Sequence, residues 1–255
     1  MTYHRYILVL FIAFNFTLFA QETNIEFGAD LNLLNDLGQQ IISSKTDEQR
    51  ITANKEYASI LKSVINKEGS FDYDFKALKT ISVLQAHNLK IYNWVLPATD
   101  GTFKYFAFLQ IKTAKTEFDV IELTDKSKNM KSPENKILTA RSWYGALYYK
   151  LIHNKKIGKN YYTLLGWDGN NNLTNKKIID VINISSTGMV KFGAPIFKTK
   201  KKTKKRMVFE YSENVVMSLK YHHEIEKIVY DVLIPASSKL KVILRLRASL
   251  YLERS

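Results

Sequence analysis

"KIYNWVLPATDGTFKYFAFLQI", Lys90 to Ile111, decides how most of the chain is built. Asp100-Gly101 stands between two apolar runs, and Gly supplies the positive φ that a tight hairpin turn needs. Beyond the turn, Phe103, Tyr105, Ala107, Leu109 and Ile111 share one face by the period-two alternation of a strand. Phe106 and Phe108 fall on the other face, which predicts a strand covered on both sides. Upstream, Val83 to Ile91 is ambiguous between helix and strand.

The same alternation continues downstream. "EFDVIEL", "SWYGALYYKLI", "NYYTLLGW", "KKIIDVINI", "MVKFGAPIF", "RMVFEYS", "VVMSLKY" and "EKIVYDVLI" are parted by turn residues at intervals of about eight to twelve positions. Together they predict an antiparallel β meander over residues 70–235, folded as a sandwich or a barrel-like closure.

Toward the N-terminus the period lengthens. Leu33, Leu34, Leu37, Ile41 and Ile42 recur at helical spacing, and "SSK" breaks the pattern. Thr46 followed by Gln49 has the form of a capping box, with Asp47 and Glu48 at the positive end of a second helix. Ile51, Ala58, Leu61, Val64 and Ile65 form its apolar stripe, and Gly69 is placed to end it in a left-handed conformation. Residues 21–69 are therefore expected to form a helical hairpin, and the fold class is α+β.

Before it, Met1–Tyr6 carry Arg5 and no acid, and "ILVLFIAFNFTLFA", Ile7 to Ala20, is an apolar run of fourteen residues. A bilayer core of ~30 Å needs a longer helix than that. Residues 1–20 read as a secretory signal peptide cleaved before Gln21, with the mature protein in the periplasm or outside the cell and without a transmembrane span. The chain contains no cysteine, which excludes lipid anchoring at a signal-peptide cysteine, disulfides, thiol catalysis and cysteine-based zinc sites. Neither a cofactor nor a metal is expected.

Residues 1–20 hold one Arg and no acid, so the remainder carries 37 basic against 24 acidic residues, a net charge of +13. Seven basic residues fall in the nine of "KTKKKTKKR", Lys198 to Arg206. The run reads as a solvated hairpin loop. If it has a partner, export favours an anionic envelope component, held by Lys198, Lys200, Lys201, Lys202, Lys204 and Lys205, over nucleic acid.

"LLGWDGNNNLTNKK", Leu164 to Lys177, is the most distinctive run. Asp168, Asn170 and Asn172 occupy positions one, three and five of a calcium loop. Leu173 stands where that loop needs Gly, and Ile179 where it needs a bidentate Glu. The segment instead reads as a turn between strands, because Asn and Gly tolerate left-handed backbone and Asn bonds its own main chain. Trp167, Asp168, Asn170 and Asn172 are the candidate binding residues. Trp167 is expected to be mostly buried at the base of the loop, and Gly169 to resist replacement through a positive φ.

"YYTLLGWDGNNNLTNKKIIDVI", "FGAPIF", "KRMVFEYSENVVMSLKY" and "KIVYDVLIP" resemble a family of uncharacterised exported proteins of Bacteroidota. "ISVLQAHNLKIYNWVLPATDGTFKYFAFLQ" and "WYGALYYKLI" fit the same pattern, so the resemblance spans roughly residues 70 to 235. It implies export and a single β domain, and it implies no activity. The tail "ASSKLKVILRLRASLYLERS", residues 236–255, departs from that family. It reads either as an amphipathic basic segment or as a truncated, out-of-frame end.

Catalytic signatures are sparse. His87 and His153 stand alone, and His222, His223 and Glu224 lack a third metal ligand at suitable spacing. Asp168, Asp180 and Asp231 are the strand-adjacent carboxylates open to a glycosidase-like role. Asp180 and Asp231 read as outward residues of their strands. Two functions follow: a non-enzymatic envelope module binding a carbohydrate, lipid or protein, or a carboxylate-dependent hydrolase of envelope or scavenged polymers. A flat aromatic strip would favour the first, and a cleft with paired carboxylates the second.

Overall fold

The computed structural model describes residues 27–113, 117–153, 157–199, 202–234 and 244–251. The expected signal segment 1–20, Lys200, Lys201 and the first part of the basic tail lie outside these residues. The chain is α+β and divides into two compact units, residues 1–80 and 81–255. No helix among the described residues is long and apolar enough to cross a membrane.

The first unit holds α1 (residues 27–43) and α2 (Asp47–Ile65). Thr46 caps α2 by accepting a hydrogen bond from the Gln49 amide, with Asp47 and Glu48 in the first turn. An ion pair between Asp30, early in α1, and Lys67, just after α2, brings those two ends together, as an antiparallel hairpin requires. The buried faces differ in part from the expected stripes. On α1, Leu31, Leu34, Leu37 and Ile41 are buried while Leu33 and Ile42 are exposed. On α2 the expected Leu61, Val64 and Ile65 are buried, joined by Ala53, Asn54 and Tyr57, while Ile51 points outward. Gly69 does have a positive φ of 77°, but α2 already ends at Ile65 with Asn66 as its cap, so Gly69 serves the next turn.

The second unit begins with a four-stranded antiparallel meander, β1 (Ser82–Gln85), β2 (Leu89–Pro97), β3 (Phe103–Lys112) and β4 (Phe118–Thr124). The β2–β3 turn lies where Asp100-Gly101 placed it. Pro97 faces Phe103, Gly101 has φ 77°, and Asp100 accepts from both the amide and the hydroxyl of Thr102. The ambiguous stretch resolves into β1 and the start of β2.

Next come β5 (Leu138–Thr139), β6 (Leu147–Ile152), β7 (Tyr161–Asp168), β8 (Thr174–Ile184) and β9 (Val190–Phe192). A short hairpin of β10 (Phe197–Lys198) and β11 (Thr203–Lys204) precedes β12 (Met207–Ser212). The second sheet has the order β5-β9-β8-β7-β6, and β12 also pairs with β8. The long β8 serves two neighbours on one edge, β9 along Ile182–Ile184 and β12 along Thr174–Ile179. This branching departs from a simple meander. A third sheet contains β13 (Leu219–His222), β14 (Lys227–Ile234) and β15 (Leu244–Tyr251). Residues 244–251 of the tail thus pair with β14 along its whole length.

One core cluster joins the first two sheets face to face. Leu89, Ile91, Tyr105, Ala107, Leu109 and Ile111 meet Trp143, Tyr148, Leu164, Ile178, Ile182 and Phe192, which makes a sandwich. The opposite face of the second sheet carries a second cluster, in which Leu165, Ile179 and Val181 meet Leu219 and Ile228 of the third sheet. The second sheet is therefore covered on both sides over much of its area. The other face of the first sheet is aromatic too, with Trp94 stacked on Phe106 at 5.5 Å.

Candidate functional site

β7 ends in Asp168, whose side chain follows Leu164 and Tyr162 onto the inner face of the sandwich. Its Oδ1 accepts from the Tyr105 hydroxyl (3.0 Å) and the Asn170 amide (2.8 Å), and its Oδ2 from the Tyr144 hydroxyl (2.9 Å). The Lys176 ammonium lies 3.9 Å away. The Gly169 amide donates to the Tyr105 oxygen at 2.7 Å, so that phenol both donates and accepts. Burial first, and then the negative charge of Asp168, push the Tyr105 and Tyr144 hydroxyls far above the ordinary tyrosine range. Both stay protonated and donate to Asp168. A carboxylate ringed by donors is satisfied within the fold and does not present its oxygens to a cation.

The asparagines are likewise committed. Asn170 takes φ 45°, donates to the Thr174 hydroxyl (2.6 Å) and accepts from Lys176 (2.7 Å). Asn171 accepts from the amides of Leu173 and Thr174. Asn172 reaches across to the β2–β3 turn and donates to the Asp100 carbonyl at 2.9 Å. The loop is a self-bonded turn docked on the first sheet. Gly169 is needed for a different reason from a positive φ. A β-carbon there would lie 2.3 Å from the Phe103 ring and 2.7 Å from the Trp167 ring.

Sequence reasoning missed Asp125. Its Oδ2 accepts from the Tyr105 amide (3.1 Å), and its Oδ1 from the Ser127 amide and hydroxyl and the Gly145 amide. Tyr105 is thus held by a carboxylate at each end. Asp125 lies just past the end of β4, where an acid before Ser reads only as a turn former.

Asp180 is not an outward residue. It is fully buried, paired with the equally buried Arg206 at 3.1 Å, and it also accepts from the Tyr148 hydroxyl and the Val181 amide. Trp143 donates to Tyr148, and Arg206 donates on to the carbonyls of Pro133 and Lys136. Asp231 is also buried and accepts from the Ser218 amide at 3.0 Å. In both strands the acid enters the interior because a specific partner compensates its charge or its oxygens. Asp180 faces Leu164, four residues before Asp168, so about 13 Å of strand separates the two acids. Carboxyl pairs in glycosidases stand ~5–9.5 Å apart.

His222, His223 and Glu224 are exposed at the β13–β14 turn. Among the described residues, no group of three or more His, Asp or Glu is arranged to hold a metal.

The basic run is only partly solvated. Lys198 and Lys202 are exposed, whereas Lys204 pairs with Glu134 at 3.6 Å and Lys205 donates to the Asn135 carbonyl at 2.7 Å. Arg206 is the buried partner of Asp180, which removes it from the expected loop.

A different surface emerges on the outer face of the second sheet. Trp167, Lys177 and Phe209 stand opposite one another across β7, β8 and β12 and form one cross-strand row, with Leu147 of β6, which packs on the sandwich core, next in register. Trp167 is covered over most of its surface, as expected at the base of the loop, with Phe103 against it at 5.3 Å. Its indole lies beside the Tyr211 hydroxyl. Tyr149, the extra residue of a bulge in β6, lies beneath the Lys177 ammonium, 4.9 Å from ring centre to nitrogen. Tyr149 is held there by donating to the Leu219 carbonyl at 2.9 Å, and Phe209 leans on Tyr230 of β14 at 4.7 Å. Trp167, Lys177, Phe209 and Tyr211 are half-buried, and Tyr149 is more exposed. Of this strip, sequence reasoning singled out Trp167 alone. The alternation of Phe209 and Tyr211 was the available signal for the rest.

No family model, curated protein or solved structure matches the chain.

Proposed function

We propose that the chain is an exported, non-enzymatic module of the cell envelope, akin to the uncharacterised Bacteroidota proteins it resembles. On this reading the strip of Tyr149, Trp167, Phe209 and Tyr211 is its contact surface, and a carbohydrate polymer is its partner. What carries the reading is the partly exposed aromatic strip itself. Rings that only filled a core would be covered, whereas Trp167, Phe209 and Tyr211 keep part of their area open and Tyr149 is exposed, on strands that flank and include the centre of the sheet. The electron-rich face of an aromatic ring suits the positively polarised C–H face of a pyranose, and neighbouring rings on adjacent strands suit an extended chain. The hydrolase alternative gains no support from Asp168, Asp180 and Asp231, each of which is bonded in a different place.

The basic hairpin adds a second contact to an anionic envelope component, through its exposed Lys198 and Lys202. The experiment is retention on insoluble polysaccharides and isolated cell envelopes, compared for the parent chain, Trp167→Ala and Phe209→Ala. Loss of retention in both variants with unchanged melting supports the reading, and full retention overturns it. Export is tested by mass spectrometry in the native cell. A mature chain starting at or within two residues of Gln21 is expected, and one retaining Met1–Ala20 would sink that half of the proposal.

A further inference from the structure

Lys177 is an unusual centre for an aromatic strip. It sits mid-row, between Trp167 on one strand and Phe209 on the next, with its ammonium over the Tyr149 ring. It is half-buried, and among the described residues no carboxylate pairs with it and no acceptor takes its protons. Its neighbour Lys176, on the other face of β8, is by contrast engaged by Asp168 and Asn170. The loss of water around Lys177 shows in a pKa lowered by burial. A ring face attracts a cation but leaves its N–H groups without acceptors. Lys150 stands exposed on the strand beyond β7, opposite Leu165, which faces the same outer side.

We infer that Lys177 is the anion-binding point of this face, so that the ligand is an acidic sugar chain whose ring stacks on the aromatic strip while its anionic substituent takes the ammonium. The inference rests on the carbohydrate-binding reading of the strip and narrows it to one charge class. Trp167 and Phe209 lie about two strand spacings apart, roughly 10 Å, with Lys177 between them. That is the span of a short sugar chain whose charge falls between two stacked rings. The excess of 13 positive charges that residues 21–255 carry brings such a polymer to the surface. The charge of Lys177 gives it a register.

The test uses pairs of probes that differ only in charge. Oligogalacturonate and its full methyl ester make the carboxylate arm, and dextran sulfate and dextran make the sulfate arm. Each is titrated calorimetrically into the full chain, Lys177→Met, Lys177→Arg and Trp167→Ala. Lys177→Met keeps an unbranched stem over Tyr149 while removing the charge. The parent is expected to prefer one acidic probe over its neutral partner by about tenfold or more, the size of a charge-assisted hydrogen bond. Lys177→Met should erase that preference without weakening the neutral probe, Lys177→Arg should keep most of it, and Trp167→Ala should weaken both probes of the pair. The arm that shows the preference identifies the anion. A preference that survives Lys177→Met overturns the inference and assigns it to other cations such as the basic hairpin, leaving the aromatic surface standing. Equal binding of acidic and neutral probes does the same. Binding that ignores Trp167→Ala, or no binding by the parent, overturns the surface and the inference together.

Discussion

Asn93 pairs with both main-chain polar groups of Tyr148, its Oδ1 accepting from the amide at 2.7 Å and its Nδ2 donating to the carbonyl at 3.3 Å. A side-chain amide on the first sheet thus does for β6 what a neighbouring strand would do, at the point where the β6 bulge interrupts the ladder. Asn93 is fully buried, so nothing else can take over this pairing. Asn93→Ala should cost about 2–5 kcal/mol, since two buried backbone groups lose their partners at ~1–3 kcal/mol each. Chemical denaturation with an unchanged m-value is the measurement.

The Asp180–Arg206 pair predicts an asymmetric response. Arg206→Met strands a buried carboxylate and should cost about 3–5 kcal/mol, whereas the double variant Asp180→Leu/Arg206→Met should lose less than Arg206→Met alone. Burial already raises the Asp180 pKa, and Arg206 opposes that rise. Without Arg206 the folded-state pKa climbs further above the unfolded value near ~3.9. An acid raised on folding contributes stability below its unfolded pKa and loses it as pH rises through the folded one. The penalty of Arg206→Met should therefore shrink on acidification, as read from melting curves across acidic pH.

Gly169→Ala should destabilise by about 1–3 kcal/mol through overpacking, because the new methyl collides with two rings at once. The near-ultraviolet circular dichroism of Trp167 should change with it. Gly188→Ala is the control. Its φ is 79° but its nearest neighbour would be 3.7 Å away, so it should show the backbone cost, about 1 kcal/mol, without the aromatic signal.

Alkaline pH acts through the buried phenols. Tyr105, Tyr144 and Tyr148 are all raised well above the ordinary value, burial being the first cause in each. In the unfolded chain they ionise near ~10. Above that pH the unfolded state sheds protons that the folded state keeps, so stability falls as pH rises. The slope approaches ~1.4 kcal/mol per pH unit for each such tyrosine. Absorbance at the phenolate band should show these tyrosines ionising only as the protein unfolds, and Tyr105→Phe should make the decline shallower.

Local signals were the legible ones. The Asp100-Gly101 turn, the two faces of β3, the Thr46 cap and the bonds of Asn171 to its own loop amides all lie within a few residues of their causes. On the helices the period was legible and single residues were not. Leu34, Leu37, Ile41, Leu61, Val64 and Ile65 are buried as expected, whereas Ile51 is exposed and Tyr57 takes the interior. Asp180 was misread because its partner stands 26 residues away in a lysine run that looked solvated. The aromatic strip escaped notice because it runs across several strands, and only register brings Trp167, Lys177 and Phe209 side by side.

The reach of Asn172 to the Asp100 carbonyl joins two turns 72 residues apart, and its Oδ1 fills the space where a β-carbon on Gly101 would sit. Such a clasp cannot nucleate anything. Both hairpins must exist before it can close, and closure of so long a loop carries an entropic cost that local contacts do not repay. The Asn172 clasp is therefore a late event, after the local bonds of Asn170 and Asn171. Its closure marks a chain whose two sheets have already found each other, and the contact of Trp167 with Phe103 beside it is complete only then.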